Sequence, residues 1–224
     1  MTEHSTVLPE QLNAARMVLR QLQLKSAAVR LRDEFAGTFD EDTIERFLES
    51  AAHQFHSHAD SLGSLPRPAE RFARQRLQAL AKVKGDHHAG KPAVMFVSTH
   101  NAGRTQMALG LFTRLAGDAA VAWSAGSAPS DQIDPIAVEA MAEIGIDIAE
   151  EYPKPWTEET VRAADVIITM TGSDTCPVYP GRRYEDWDLP GLASDRTLVT
   201  EREVRDLIEI RVRGLLDELG IALP

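Results

Sequence analysis

The run AVMFVS at 93–98 constrains the fold of this chain more than any other feature. Its residues are apolar without alternation up to Ser98, and a polar loop follows before a helical pattern begins at Arg104. A short continuous apolar run that ends at a turn is typical of a parallel strand buried on both faces. We therefore predict a sheet that is covered by helices.

The chain after this run repeats the rhythm of strand, loop and helix. The patterns predict further strands at 120–125, 165–170 and 182–189, and helices at 104–115, 135–144 and 157–164. A capping box of Thr200 and Glu203 predicts the start of a long final helix. Alternating strands and helices indicate an open, mostly parallel α/β sheet over 93–224.

The chain before the sheet has a purely helical pattern. Apolar residues recur at helical spacing in three segments, at about 9–35, 40–55 and 68–84. Short loops between three helices predict a small all-α three-helix bundle over 1–84. The polar stretch KGDHHAGKP, with two glycines and a proline, predicts a linker over 85–92.

The composition limits the classes of function. The 224 residues carry a formal net charge of −10 and one cysteine. Residues 1–91 hold 13 basic and 12 acidic side chains, whereas the remainder holds 11 basic and 22 acidic ones. So acidic an α/β domain argues against binding to nucleic acid or to an anionic membrane. One cysteine excludes an internal disulfide framework. Because no apolar run reaches ~20 residues and no secretory signal is visible, we expect a cytoplasmic protein.

The loop after the first strand is the strongest candidate site. Ligands of open α/β sheets bind beyond the carboxyl ends of the strands, and a tight loop before a helix gathers N–H donors for an anion. An arginine fork can grip two oxygens of a tetrahedral oxyanion. The alternative is an ordinary turn with a surface arginine. The candidate oxyanion-binding residues are Ser98, Thr99, His100, Asn101, Ala102, Gly103, Arg104 and Thr105.

Several blocks in the α/β part carry a resemblance to a known family. They read VMFVSTHNAGRTQMA (94–108), SAGS (124–127), DQIDPIAVEAMAEIGIDI (131–148), YPKPWTEETVRAADVIITM (152–170) and CPVYPGRRYEDWDLP (176–190). In this order they resemble arsenate reductases built on the low-molecular-weight protein tyrosine phosphatase fold. The N-terminal three-helix segment resembles one attached to some bacterial members. The resemblance implies a four-stranded parallel sheet and an oxyanion loop of pattern Cys-x5-Arg.

The resemblance also implies a chemistry. In the family a cysteine thiolate attacks arsenate or a phosphate ester, while the loop amides and an arginine stabilise the oxyanion. An aspartate of a later Asp-Pro pair protonates the leaving group in phosphatases. Further thiols or a redoxin donate electrons in reductases. Carried over residue by residue, Arg104 would bind the oxyanion, Asn101 would brace the loop, and Ser98 stands at the nucleophile position.

This chain departs from the family pattern at the residues that react. Ser98 replaces the cysteine, and an unassisted hydroxyl needs an adjacent base to attack, for which His100 is the nearby candidate. Where relatives carry a second cysteine and the Asp-Pro pair, the chain has Gly172 and Gly191. Asp186 and Asp188 are candidate acids close to the second of these positions.

The single thiol and the histidines have weaker functional interpretations. Cys176 is either a redox residue or a small apolar one. Histidines spaced three apart on a helix can share a metal, but a solvated polar face is commoner, and we expect no metal. The residues concerned are His53, His56, His58, His87 and His88.

Two functional hypotheses follow. The first is a protein that binds phosphate or arsenate in the loop with impaired or no catalysis. The second is an active thiol-dependent arsenate reductase or tyrosine phosphatase in which serine has replaced the cysteine at position 98. We expect no cofactor, a redoxin or other thiol donor if the chain is active, and a candidate homodimer through the N-terminal helices.

Overall fold

A computed structural model describes residues 7–55, 66–85, 90–170, 176–189 and 197–223. Contacts within the chain divide it into two compact units, Met1–Gln78 and Ala79–Pro224. The linker over 85–92 stays a prediction, since 86–89 lie outside the described residues. Among the described residues, every helix is too short or too polar to cross a bilayer.

The N-terminal part is helical, as predicted. Its helices are α1 (Val7–Glu34), α2 (Glu41–Gln54) and α3 (Pro66–Val83). The carboxylate of Asp40 caps α2, because its Oδ1 accepts a hydrogen bond from Thr43 N at 2.8 Å. The apolar stripe of α2 is buried, and its inward residues include Ile44, Leu48 and Ala51.

An ion-pair network joins α1 to α3 within the first unit. The guanidinium of Arg30 on α1 donates to both oxygens of Glu70, at 3.0 and 2.5 Å. Arg74, one turn further along α3, donates to Glu70 at 3.0 Å and to Glu34 at 2.7 Å. Glu70 is buried, and these hydrogen bonds, first that of Arg30, hold the pKa of its carboxyl below the ordinary value.

The second unit contains the predicted four-stranded parallel sheet. Its strands are β1 (Ala93–Ser98), β2 (Val121–Gly126), β3 (Val166–Thr169) and β4 (Arg183–Asp186). Their order in the sheet is β2-β1-β3-β4, so β1 lies between two neighbours. The register aligns Val97 of β1 with Thr169 of β3, and Thr169 with Asp186 of β4. The helical elements of this unit are α4 (Arg104–Ala116), a 3₁₀ turn (Gly117–Ala119), α5 (Pro135–Ala142), α6 (Glu158–Ala163) and α7 (Leu198–Glu218).

Helices cover both faces of the sheet, as the continuous apolar run at 93–98 requires. Val94 and Phe96 pack with α4, α5 and α7, while Met95 and Val97 pack on the other face with α6. All six residues of β1 are buried. This packing fixes the end of β1, and therefore the start of the candidate loop at Ser98, in the middle of the sheet's carboxyl edge.

The prediction that Thr200 caps the final helix is wrong. Thr197, rather than Thr200, caps α7, and Thr200 takes the place that glutamate holds in the usual capping box. Thr197 N donates to Thr200 Oγ1 at 3.0 Å, and Thr200 N donates to Thr197 Oγ1 at 3.3 Å. The hydroxyl of Thr197 therefore accepts a hydrogen bond from an N–H group in the first turn of the helix. As a result, α7 begins earlier than the Thr200–Glu203 pattern indicates.

Candidate functional site

Four carbonyl groups of the candidate loop accept hydrogen bonds from one neighbouring segment. The backbone N–H groups of residues 127–134 donate to the carbonyl oxygens of Ser98, Thr99, His100 and Ala102, at 2.8 to 3.1 Å. In a trans peptide the N–H of the next residue points opposite to the carbonyl. The N–H groups that follow these four carbonyls therefore point away from 127–134, on the inner side of the loop.

One of these inward amides marks the centre of the loop. Asn101 N donates to Ser98 Oγ at 3.0 Å, and Thr105 Oγ1 lies 3.4 Å from the same oxygen. Ser98 is 8% exposed and Thr105 is fully buried. The side chain at the nucleophile position thus sits among hydrogen-bond donors, an arrangement that favours negative charge there.

Asn101 gives the loop its shape. Its φ of 52° lies in the left-handed region, and it is the one non-glycine residue with positive φ among those described. Asparagine tolerates this region better than most residues. The side chain is fully buried: its Nδ2 donates to Thr105 Oγ1 at 3.0 Å, and its Oδ1 accepts from Lys154 N at 3.0 Å and Gln106 Nε2 at 3.1 Å.

A glycine allows the loop to lie directly against β2. A Cβ at Gly126 would stand 2.7 Å from the carbonyl oxygen of Thr99 and 3.1 Å from Asn101 Cβ. The first contact is with backbone, which has no rotamer to change. The close approach of the two main chains therefore requires glycine at position 126, in the SAGS block.

The first turn of α4 completes the loop. Gly103 precedes the helix with no side-chain cap, so the first N–H groups of α4 face the loop. Gly103 has a φ of −121°, so Asn101, and not this glycine, adopts the left-handed conformation in the loop. Arg104 is partly buried at the helix start, and its Nη1 donates to the carbonyl of Met170 at 3.4 Å.

An open cavity of about 680 Å³ lies over this loop. Its walls come from the loop itself and from the segment before α5. The lining residues are Ser98, Thr99, His100, Ala102, Gly103, Arg104, Ser130, Gln132, Ile133, Asp134 and Pro135. A cavity of this size holds a small molecule, and its floor is the helix start that favours anions.

His100, the candidate base, is exposed and turns towards the segment after β2. Its Nδ1 lies 3.3 Å from the carbonyl oxygen of Ala128. A carbonyl only accepts, so this bond places a proton on Nδ1. The hydrogen-bond neighbours of Ser98 Oγ are instead Asn101 N and Thr105 Oγ1.

The two candidate acids lie near the end of β4. Asp186 is exposed and accepts a hydrogen bond from Thr169 Oγ1 at 2.8 Å. In the register of the sheet, Asp186 is aligned through Thr169 with Val97, the residue before Ser98. Neighbouring residues of a strand point to opposite faces, so Asp186 and Ser98 lie on opposite faces of the sheet. Asp188 is exposed beyond the strand. An acid role for either one stays a prediction.

The remaining candidates lie apart from the loop or outside the described residues. Cys176 is half-buried and packs against the face of the sheet that carries Met95 and Val97. Its redox role stays a prediction. Outside the described residues lie Gly172, Gly191, His56, His58, His87 and His88. Within the described ranges, no group of three His, Cys, Asp or Glu residues could hold a metal ion.

Three residues that sequence reasoning did not single out support the loop. Gln106 Nε2 donates to the main-chain carbonyl of Asn101 at 2.8 Å. Lys154 and Gly126 contact the loop from the elements beside it. Gln106 could have been noticed in the sequence as a polar residue at a position where the pattern of α4 predicts an apolar one. No local pattern indicates the role of Lys154.

The comparisons with known proteins identify the family. The family described as low molecular weight phosphotyrosine protein phosphatase matches residues 93–222, more than half of the chain. The chain belongs to this family. A second family, described as the N-terminal domain of protein-tyrosine-phosphatase-like proteins, matches residues 24–81. This low-molecular-weight phosphatase fold therefore carries an N-terminal helical domain that is itself a recognised unit.

Several relatives of this phosphatase-family chain are arsenate reductases. A thioredoxin-dependent arsenate reductase of Corynebacterium glutamicum has 36% identity and a TM-score of 0.77, over 88% of this chain and 96% of its own. The arsenate reductase of Halalkalibacterium halodurans is 34% identical over 131 residues, 55% of this chain and 94% of its own length. An arsenate reductase solved in the phosphate binding state is 31% identical, with a TM-score of 0.50, over 57% of this chain and 98% of its own.

Proposed function

We propose that the loop 98–105 binds a tetrahedral oxyanion, phosphate or arsenate, and that turnover is impaired or absent as the sequence stands. The observation that carries this proposal is the loop geometry: four carbonyls accept hydrogen bonds from 127–134, and the amide of Asn101 points the other way and donates to Ser98 Oγ. Arg104 adds a fixed positive charge beside these amides. A relative solved in the phosphate binding state supports the same ligand class.

The site has to attract anions within an acidic domain. Residues 92–224 hold twice as many acidic as basic side chains. The long-range field therefore opposes the anion, and the local donors must overcome it. Loop amides, the start of α4 and Arg104 act at contact distance, where hydrogen bonds to a charged ligand are strongest.

Weak catalysis follows from the side chain at position 98. A serine hydroxyl carries its proton at neutral pH, and attack requires a base within hydrogen-bond reach. The hydrogen-bond neighbours of Ser98 Oγ are an amide and a threonine hydroxyl, neither of which is a base. We therefore expect the loop to bind the anion better than it catalyses a reaction of that anion.

The second candidate function is a thiol-dependent arsenate reductase, or a tyrosine phosphatase, with cysteine at position 98. It is supported by the similarity over most of the chain to a thioredoxin-dependent arsenate reductase. In this proposal the thiol would attack the oxyanion and a thioredoxin-like protein would supply the electrons. Cys176 would then be the candidate for a second thiol in the reaction.

Isothermal titration calorimetry with phosphate, arsenate and sulfate tests the binding proposal. We expect one anion per chain, and affinity that falls about 10- to 100-fold in Arg104→Ala, the range for a lost hydrogen bond to a charged ligand. Arg114→Ala is the matched control, because Arg114 is exposed at the other end of α4. Absence of binding at millimolar anion, or equal binding by Arg104→Ala, refutes the proposal.

The Ser98→Cys variant separates the two candidate functions. It is assayed for arsenate reduction with thioredoxin and thioredoxin reductase, and for hydrolysis of an aryl phosphate. Turnover of either substrate by this variant, and not by the unaltered chain, supports the second function. A variant inert towards both substrates, but still able to bind phosphate, supports the first.

The expected location and assembly remain proposals. A cytoplasmic protein fits a thioredoxin donor. A homodimer through the N-terminal helices is consistent with apolar side chains that α1 exposes, among them Leu19, Leu22 and Val29. Light scattering of the full chain and of Leu22→Glu measures the assembly: a lighter particle for the variant supports the homodimer, and a monomeric unaltered chain refutes it.

A further inference from the structure

His100 is held to the segment after β2 by both its main chain and its side chain. Its carbonyl oxygen accepts a hydrogen bond from Ser130 N at 2.9 Å, and its Nδ1 lies 3.3 Å from the carbonyl oxygen of Ala128. The residue is exposed and lines the cavity over the candidate anion loop. Two contacts with one segment therefore fix an imidazole at this cavity.

The contact with Ala128 leaves the other ring nitrogen for a ligand. A carbonyl only accepts, so Nδ1 carries the proton of the neutral ring. The two nitrogens of an imidazole point in diverging directions, so a ring that bonds Ala128 through Nδ1 turns Nε2 away from that segment. In the neutral ring Nε2 is an acceptor, which offers nothing to the oxygens of an anion. In the protonated ring Nε2 is a charged donor.

The charges that line the cavity balance when this ring is neutral. The lining residues with ionisable side chains are His100, Arg104 and Asp134. Arg104 is the positive group at the start of α4, and Asp134 is the negative group before α5, where its Oδ1 accepts from Ile136 N at 3.0 Å. Asp131 of the same segment is exposed. Protonation of His100 changes the formal charge of the lining from zero to +1.

We propose that His100 is a ligand-binding residue that makes the affinity for the oxyanion depend on pH. Its protonated ring adds a positive charge and an Nε2–H donor to the loop amides and Arg104. The inference rests on the proposed binding of an oxyanion at 98–105 and adds a regulation to it. By linkage, the bound anion favours the protonated ring as strongly as the protonated ring favours the anion. The site therefore holds a tetrahedral dianion in mildly acidic solution and releases it as the pH rises.

The alternative is a structural ring that only ties the loop to Ala128. The Nδ1–H group that makes this contact is present in both protonation states of the ring. A tie of this kind therefore gives the affinity no dependence on pH. An amide side chain that donates to Ala128 would replace it fully.

Coulomb's law gives the expected size of the charge effect. A dianion about 7 Å from an added unit charge binds roughly 7-fold more tightly in a medium as polar as water, and roughly 50-fold more tightly at half that dielectric constant. His100 is exposed, so the lower figure is the relevant one. Imidazole is the side chain that ordinarily changes its charge between pH 5 and 8.

Sulfate titrations of the full-length chain at pH 6 and pH 8 test the proposal. Binding is followed by NMR chemical shifts at constant ionic strength, and sulfate stays doubly charged at both pH values. His100→Gln is the neutral variant, whose amide can still donate to Ala128. His53→Gln is the matched control, because His53 is exposed on α2. Asp134→Asn removes the carboxylate of the cavity and keeps a residue that can cap α5.

The unaltered chain and His53→Gln are expected to bind sulfate at least about fivefold more tightly at pH 6 than at pH 8. Asp134→Asn is expected to keep this ratio, whereas His100→Gln is expected to bind equally at both pH values. A ratio that persists in His100→Gln, that is lost in Asp134→Asn or that is absent from the unaltered chain overturns the role of His100 and leaves the oxyanion site in place. An unaltered chain that binds no sulfate at either pH overturns the site and this inference together.

Discussion

The amide nitrogen of Asn101 lies 3.0 Å from Ser98 Oγ and donates a hydrogen bond to it. Asn101 also adopts a left-handed conformation, with φ of 52°. The conformation is in turn held by buried hydrogen bonds to Gln106 and Lys154. We therefore expect the loop to favour negative charge whatever side chain occupies position 98.

The first prediction concerns a thiol at this position. We expect the Ser98→Cys variant to have a thiol pKa below the ordinary value of about 8.5, because Asn101 N–H and the start of α4 stabilise the thiolate. The rate of alkylation by iodoacetamide against pH measures it, with peptide mass spectrometry separating position 98 from Cys176.

Adding Thr105→Val to this variant is the matched comparison. It removes the hydroxyl that lies 3.4 Å from Ser98 Oγ and keeps the shape of the side chain. We expect the thiol pKa to rise towards its ordinary value. A thiol that titrates at or above that value before the second substitution would contradict the proposed electrostatics of the loop.

The second prediction separates backbone strain from hydrogen bonding at Asn101. Asn101→Gly and Asn101→Ala both lose the buried amide, so each is expected to destabilise the fold by about 2–4 kcal/mol. Alanine is expected to cost about 1 kcal/mol more than glycine, because only alanine is strained at positive φ. Urea unfolding of both variants measures the difference, and equal stabilities would show that the variant loops abandon the left-handed conformation.

The third prediction concerns the contact of the loop with β2. Gly126→Ala places a methyl group 2.7 Å from the Thr99 carbonyl, so we expect a loss of about 2 kcal/mol or more and weaker phosphate binding. Gly214→Ala is the control, because Gly214 lies within α7 and a Cβ there meets nothing within 4 Å. It is expected to stabilise the chain by about 0.5–1 kcal/mol. Equal effects of the two changes would refute the close approach.

The fourth prediction is a pH dependence in the N-terminal helices. The hydrogen bond from Arg30 lowers the pKa of Glu70 below its ordinary value of 4.5. The ion pairs of Glu70 therefore stabilise the folded state fully at pH values above that ordinary pKa. This stabilisation is lost as the pH falls through the lowered pKa. We expect Glu70→Gln to cost about 1–2 kcal/mol at pH 7 and less at pH 2.5. The exposed Glu49→Gln is the control. Urea unfolding at both pH values tests this; a cost for Glu70→Gln that persists at pH 2.5 argues for packing instead.

Local patterns predict the strands and the loop, because their signals lie within a few residues. AVMFVS has to be a buried strand, and a loop at its carboxyl end is then expected to hold the ligand. The cap of α7 is mispredicted because Thr197 and Thr200 have the same spacing as Thr200 and Glu203. Sequence alone favours the pair that ends in glutamate.

The supporting residues of the site cannot be found in this way. A lysine between two prolines gives no sign of burial, and Lys154 is buried through contacts with Ser124 and Asn101, 30 and 53 positions away. Gly126 is recognisable as a glycine, but its neighbour across the gap is the backbone of Thr99. Both roles are set by tertiary structure, which brings distant segments to one edge of the sheet.

The most direct test of the oxyanion site is a phosphate titration of the uniformly ¹⁵N-labelled full-length chain, followed residue by residue in ¹H–¹⁵N spectra. We expect saturable shifts that are largest at the amides of 99–105, and that are lost in Arg104→Ala but kept in Arg114→Ala. No shifts at millimolar phosphate, or shifts largest in the helices of residues 7–55, would contradict it.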